Sequence, residues 1–111
     1  IIAGLALRAE ETLRRLGYGD RVTVRCGDGA DGWPEEAPFD GILVACAARV
    51  VPPRLVGQLR AEGGRLILPL GSGQDDQELV EIRREGDRIT RTPLMGVRFV
   101  PMTGALGDQA P

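Results

Sequence analysis

Apolar residues recur at three- and four-residue steps in the first part of the chain, at Ile2, Leu5, Ala6, Ala9, Leu13 and Leu16. That spacing predicts one amphipathic helix, with Glu10, Glu11, Arg14 and Arg15 on its wet side at the favourable i,i+4 interval. Gly17 is placed to stop the helix in a left-handed conformation. The period then drops to two. Arg21 to Cys26 alternates as a short strand, and Gly27-Asp28-Gly29 has to turn sharply after it. Ala30 to Pro38 carries Gly, two Pro and several acids, and reads as loop or a single helical turn.

Gly41 to Cys46 is an unbroken apolar run, the pattern of a strand buried on both faces of a parallel sheet. Pro52 and Pro53 suit the first turn of a helix whose apolar face is Leu55, Val56 and Leu59. Gly63-Gly64 is expected to end it. Leu66 to Leu68 reads as another buried strand, closed by Pro69. After Gly71 the texture changes: Ser72 to Asp76 is a polar loop, and Glu78–Arg84 and Arg88–Thr92 form an antiparallel hairpin about Glu85-Gly86-Asp87. Val97 to Val100 is expected as a last strand, and Pro101 to Pro111 trails away.

This order predicts an α/β fold, a doubly wound Rossmann-like sheet with antiparallel strands appended at its C-terminal end. One domain spans residues 1–104, with 105–111 as a tail. Ligands of such sheets bind outside the carboxyl ends of the strands. The segments to watch are therefore Gly27–Gly29, Ala45–Ala48 and Pro69–Gly73.

Composition narrows the picture. The chain has 111 residues, enough for one core; its 42% hydrophobic and 27% charged content is that of a soluble globular protein. A net charge of −2 without a basic cluster gives no reason to propose nucleic acid as a partner. No apolar run approaches the ~18 residues of a membrane-spanning helix, and Ile1 to Leu7 lacks the charged leader of a signal peptide. All 14 basic residues are Arg, a bias of GC-rich coding DNA rather than a functional device. With no histidine and no Cys-x-x-Cys spacing, no metal site is expected. Cys26 and Cys46, each inside an apolar run, read as small buried hydrophobes in a reducing cytosol.

Candidate chemistry sits at the strand ends. A carboxylate such as Asp28, flanked by Gly27 and Gly29, can accept a hydrogen bond from an exocyclic amine while the glycines let a ligand come close. Gly-Asp-Gly is equally an ordinary tight turn. Asp40 stands immediately before a buried strand, as in nucleotide-binding α/β folds, or in a plain helix-to-strand connection. The small residues Ala45, Cys46, Ala47 and Ala48 suit a flat cofactor edge or close packing. Arg98 suits a carboxylate ligand, although an Arg alternating with apolar residues commonly faces solvent.

Together these pieces resemble the protein-L-isoaspartate O-methyltransferase family, within the class I methyltransferases. The matching residues are Leu13 to Tyr18, Gly27-Asp28-Gly29 with Gly32-Trp33, Ala37 to Val44, Ala45 to Ala48, Pro52, Gln58-Leu59, Gly63 to Leu66, Pro69, Gly71 and Val97 to Gly104. The Gly-Asp-Gly and Gly-Gly-Arg-Leu elements are shared by many methyltransferases; Val97 to Gly104 carries the family. The resemblance implies methyl transfer from S-adenosylmethionine to the free α-carboxylate of L-isoaspartyl residues in damaged proteins or peptides, in the cytoplasm. It places Gly27, Asp28, Gly29, Ala45 and Ala47 against the cofactor, and Val97, Phe99, Val100, Pro101 and Thr103 over the substrate. A carboxylate is already an ionised nucleophile and a sulfonium already a leaving group, so a histidine-free chain is no obstacle.

The same resemblance implies parts not found in these residues. The glycine-rich loop of the first strand, the ribose-gripping acid of the second and the serine-bearing substrate segment have no counterpart here. The expectation is a C-terminal piece with the first two strands absent and no catalytic residue of its own. Such a piece leaves Val22–Cys26 without a neighbour and an open edge along Ile42–Ala45, and transfers no methyl groups alone. The competing expectations are a class I methyltransferase of another substrate and a non-catalytic α/β interaction module. The latter calls for a polar, self-sufficient edge at Ile42–Ala45. Oligomeric state and peptide context are not legible.

Overall fold

A computed structural model describes residues 1–71 and 76–104. It contains helix α1 (Ala3–Arg15), strand β1 (Gly41–Leu43), helix α2 (Pro53–Gly57), and strands β2 (Glu62–Leu70), β3 (Gln77–Glu85) and β4 (Arg88–Val97). Two single 3₁₀ turns, Gly29–Asp31 and Pro34–Glu36, lie between α1 and β1. The strands form one sheet in the order β1-β2-β3-β4, parallel between β1 and β2 and antiparallel beyond. The expected loop at Ser72–Asp76 falls largely, and the expected tail at 105–111 wholly, outside the described residues.

The core lies on one face of the sheet. Leu66 and Leu68 of β2 pair with Ile82 and Val80 of β3, so period-two alternation puts all four side chains together. Leu55 and Leu59, Ala48 and Met102 complete this cluster. The opposite face carries Arg65, Ile67, Glu81 and Arg83 and is wetter. The hairpin is as expected, with Gly86 at φ +61° in the turn. In β4 one extra residue, Leu94, bulges between Pro93 and Met95 opposite Leu79 and Val80. Pro93 has no N–H to donate, and β4 is a sheet edge, where proline is tolerated.

Several boundaries differ from expectation. Helix α2 ends at Gly57, well short of Gly63-Gly64, because Leu59 leaves the helix to bridge Phe39 and Gln58 turns back towards the preceding loop. Gly63 and Gly64 instead begin β2 at a register shift. Buried Gly64 lies so close to Arg60 backbone that a Cβ would collide with it. Pro69 lies within β2 rather than closing it. The expected last strand at Val97–Val100 is only the end of β4, and residues 98–100 leave the ladder.

The larger departures lie on the β1 side. Val22 to Cys26 forms no regular element and joins no ladder among the described residues. Strand β1 is three residues long, and Leu43 is 81% exposed rather than buried on both faces. Both follow from the same geometry: among the described residues β1 pairs with β2 alone and has its other edge unpaired. Helix α1 forms where its apolar spacing puts it, with Gly17 at φ +89° and Tyr18 N–H bonded back to the Leu13 carbonyl. None of its residues is buried, and Leu5 is 57% exposed.

An unpaired apolar edge is a template for pairing with another chain. The chain is therefore expected to sediment as a concentration-dependent mixture of species, and Leu43→Lys, a charge placed on that edge, is expected to shift it towards monomer. Sedimentation velocity across a dilution series checks this; an unsubstituted chain that stays monomeric throughout contradicts it.

Candidate functional site

Of the three segments expected at the strand ends, Gly27–Gly29 and the Ala45–Cys46 part of Ala45–Ala48 meet at one cleft; Pro69–Gly71 stand outside it, Leu70 bridging Ala48, and residues 72–73 lie outside the described residues. Gly27–Gly29 follows the run 22–26, and Val44–Cys46 follows β1, whose ladder ends with Val44 N–H bonded to the Ile67 carbonyl at 3.0 Å. Between these two chain segments opens a cleft of about 840 Å³. Gly27, Asp28, Gly29 and Ala45 line it, with Cys46 beside them. Thr23 and Arg25 form one side, and Ile42 to Val44 the other.

Asp28 has a structural task in this turn. Its Oδ1 accepts from the Ala30 N–H at 3.0 Å, capping the first 3₁₀ turn. The same carboxylate lies against Gly104, at φ +107°, where a Cβ would come within 2.5 Å of Oδ2. The turn reading and the ligand reading of Gly-Asp-Gly are thus compatible: one oxygen caps a backbone N–H while the residue stays on the cleft wall.

The segment after β4 is brought back across the sheet by backbone hydrogen bonds. The buried carboxamide of Gln77 holds Phe99 at both ends: Nε2 donates to the Phe99 carbonyl at 3.0 Å and Oε1 accepts its N–H at 2.7 Å. Ala47 then donates its N–H to the Val100 carbonyl at 2.7 Å and accepts the Met102 N–H at 2.8 Å, a parallel bridge to Pro101. Met102 enters the core, and Pro101, Met102 and Thr103 reach the cleft wall. Ala47 itself is buried beneath this bridge, outside the wall. Val97, Phe99 and Val100 also stand away from the cleft, Phe99 and Val100 on the exposed outer surface.

Arg25, Trp33 and Gln58 also line the cleft and were not singled out for a role in the sequence. The Arg25 guanidinium lies 5.4 Å from the Trp33 ring centroid, a cation–π distance, and donates to the Gly32 carbonyl at 3.3 Å. Trp33 and Gln58 stood among the residues that carry the family resemblance, without a role attached; Arg25 had no signal in the sequence. Cys46, half-buried in the wall, has its thiol pKa pushed up by desolvation, so it stays protonated and a poor nucleophile near neutral pH.

A parallel strand pair, a helix between its strands and a cleft at their carboxyl ends are the features of a Rossmann-like α/β sheet. Residues 1–107 match the family described as Protein-L-isoaspartate(D-aspartate) O-methyltransferase, and the chain belongs to that family of S-adenosylmethionine-dependent methyltransferases. A Protein-L-isoaspartate O-methyltransferase 2 of Nitrosococcus oceani is 48% identical over 103 residues, covering 93% of this chain and 46% of the relative. A Protein-L-isoaspartate O-methyltransferase of Rhodopseudomonas palustris is 49% identical over 111 residues, covering 99% and 50%. A solved protein-L-isoaspartate O-methyltransferase superposes with a TM-score of 0.86 at 30% identity, over 96% of this chain and 33% of that one. The chain spans about half the length of these curated relatives.

Proposed function

We propose that this chain carries the purine-binding and substrate-covering part of a methyltransferase that methylates the α-carboxylate of L-isoaspartyl residues in damaged proteins or peptides. The observation that carries the reading is the return of the 97–104 segment across the sheet, which lays Pro101 and Thr103 on the same cleft as Gly27–Gly29. Cofactor wall and family-specific segment thus face one space.

The residues present fit the purine half of S-adenosylmethionine. Asp28 offers a carboxylate for the exocyclic amine, Gly27 and Gly29 put no side chain in the way, and Ala45 leaves room for a flat edge. The bound cofactor supplies an electrophilic methyl group on a sulfonium, and its transfer to a carboxylate oxygen needs no proton to move. The chain's own contribution is alignment and exclusion of water. Pro101 and Thr103, with the backbone around them, cover the peptide in this reading, whereas Val97, Phe99 and Val100 stand away from the cleft. Cytoplasmic proteins are the substrate source expected of the family; among the described residues no helix is long and apolar enough to cross a membrane.

The chain alone is proposed to be inactive, since beside the cleft Val22–Cys26 joins no ladder among the described residues and β1 has an unpaired edge. The test is methyl transfer to an isoaspartyl peptide by two proteins. One is the 111-residue chain; the other is an extended protein, the chain joined at Ile1 to the amino-terminal part of the Nitrosococcus oceani relative. Transfer by the extended protein alone is expected. Transfer by the chain alone sinks the inactivity proposal, and transfer by neither sinks the functional reading.

A further inference from the structure

Gln58, the residue after α2, is nine-tenths buried, and its carboxamide bonds to a loop 25 residues earlier. Its Oε1 accepts the Trp33 N–H at 2.8 Å, and its Nε2 donates to the Asp31 carbonyl at 2.9 Å. Between those two residues Gly32 adopts φ +67°, and a Cβ there would run into the Gln58 carboxamide. Asp31, Gly32, Trp33 and Gln58 all stand in the cleft wall beside Asp28.

An amide that both donates to and accepts from one short loop fixes its position in two directions, which a single contact does not. A second polar tie between α2 and this loop is the Arg54–Asp31 ion pair at 2.7 Å, whose side chains are 70% and 54% exposed, beside the apolar packing of Ala30 in the cluster that holds Leu55. Exposed pairs of that kind contribute little. The carboxamide is the stronger of these two polar ties, because it makes two part-buried hydrogen bonds where the ion pair is exposed.

We infer that Gln58 is a positioning residue for the purine end of the cofactor cleft. It acts through the Asp31–Trp33 backbone to set the Trp33 ring and the Asp28 turn. This rests on the methyltransferase reading above. Gln58 lies on the purine side of the cleft in that reading, so its loss is expected to weaken cofactor capture and to leave the transfer step itself alone.

Gln58→Met keeps the length of the side chain and removes both hydrogen bonds. Trp33 is the chain's only tryptophan, so its emission reports this loop directly. In the 111-residue chain, Gln58→Met is expected to shift Trp33 emission to the red and increase acrylamide quenching, with far-UV circular dichroism retained. In the extended protein it is expected to raise KM for S-adenosylmethionine about tenfold, with kcat within about twofold. Arg54→Ala, which removes only the exposed ion pair, is expected to change neither readout. Unaltered Trp33 spectra, or unaltered KM in active Gln58→Met protein, overturn the positioning role. An inactive unsubstituted extended protein overturns the methyltransferase reading and with it the cofactor role of Gln58.

Discussion

Leu66→Ala is expected to lower the unfolding free energy of the chain by about 2–5 kcal/mol, whereas Leu5→Ala is expected to change it by under about 0.5 kcal/mol. Both residues are leucines in regular structure; burial separates them. Leu66 is 0% exposed in the middle of β2, opposite Ile82 and within the cluster that includes Leu55, Leu59 and Val80. Its truncation removes transfer energy and leaves a hole among close-packed neighbours. Leu5 sits on α1, none of whose residues is buried. Since domains of this size have only about 5–15 kcal/mol in hand, the Leu66 change is expected to leave a large unfolded fraction at 37 °C. Urea titration followed by circular dichroism checks both. Equal losses would mean that α1 packs in solution after all.

The second large effect is at Asp28. In the extended protein, Asp28→Ala is expected to weaken S-adenosylmethionine binding by about 10–100-fold, the usual weight of a hydrogen bond to a charged group. Asp28→Asn separates the observed cap from the proposed contact with the purine amine. The asparagine carbonyl oxygen still caps the Ala30 N–H, so stability is expected to follow the unsubstituted protein, while the loss of charge weakens the hydrogen bond to an exocyclic amine. Binding by Asp28→Asn is expected to fall between the other two, with an unchanged melting temperature. If Asp28→Asn and Asp28→Ala both bind normally, the residue is a turn residue and nothing more.

The elements that proved legible were those whose pattern is local. Ile2 to Leu16 announced α1, Gly17 its stop, and Glu85-Gly86-Asp87 the hairpin, since each depends on nothing outside its own few residues. Leu66 and Leu68 were legible as core because alternation on β2 decides their face. What failed to follow from pattern was pairing. Gly41 to Cys46 has the composition of a central strand, yet it is an edge here, because a strand's burial depends on the neighbours it finds. Val22 to Cys26 has strand composition and no ladder at all among the described residues.

The site shows the same division. Gly27–Gly29 and Ala45 were legible as cleft residues from their places at the ends of extended segments, and Pro101 and Thr103 through the family-specific segment. The hooks that hold these pieces were not. Gln58 and Gln77 each reach across more than twenty residues to a backbone that sequence spacing does not connect to them. A glutamine at the end of an apolar helix, or at the start of a strand, carries no mark of its partner.

The central claim is that the cofactor cleft of this chain is one part of a divided site. The most direct measurement is calorimetric titration of S-adenosylhomocysteine into the 111-residue chain and into the extended protein under identical conditions. Binding is expected by the extended protein only. Comparable binding by the chain alone would mean that Asp28 and its neighbours form a complete site without the open side being filled, and would contradict the account.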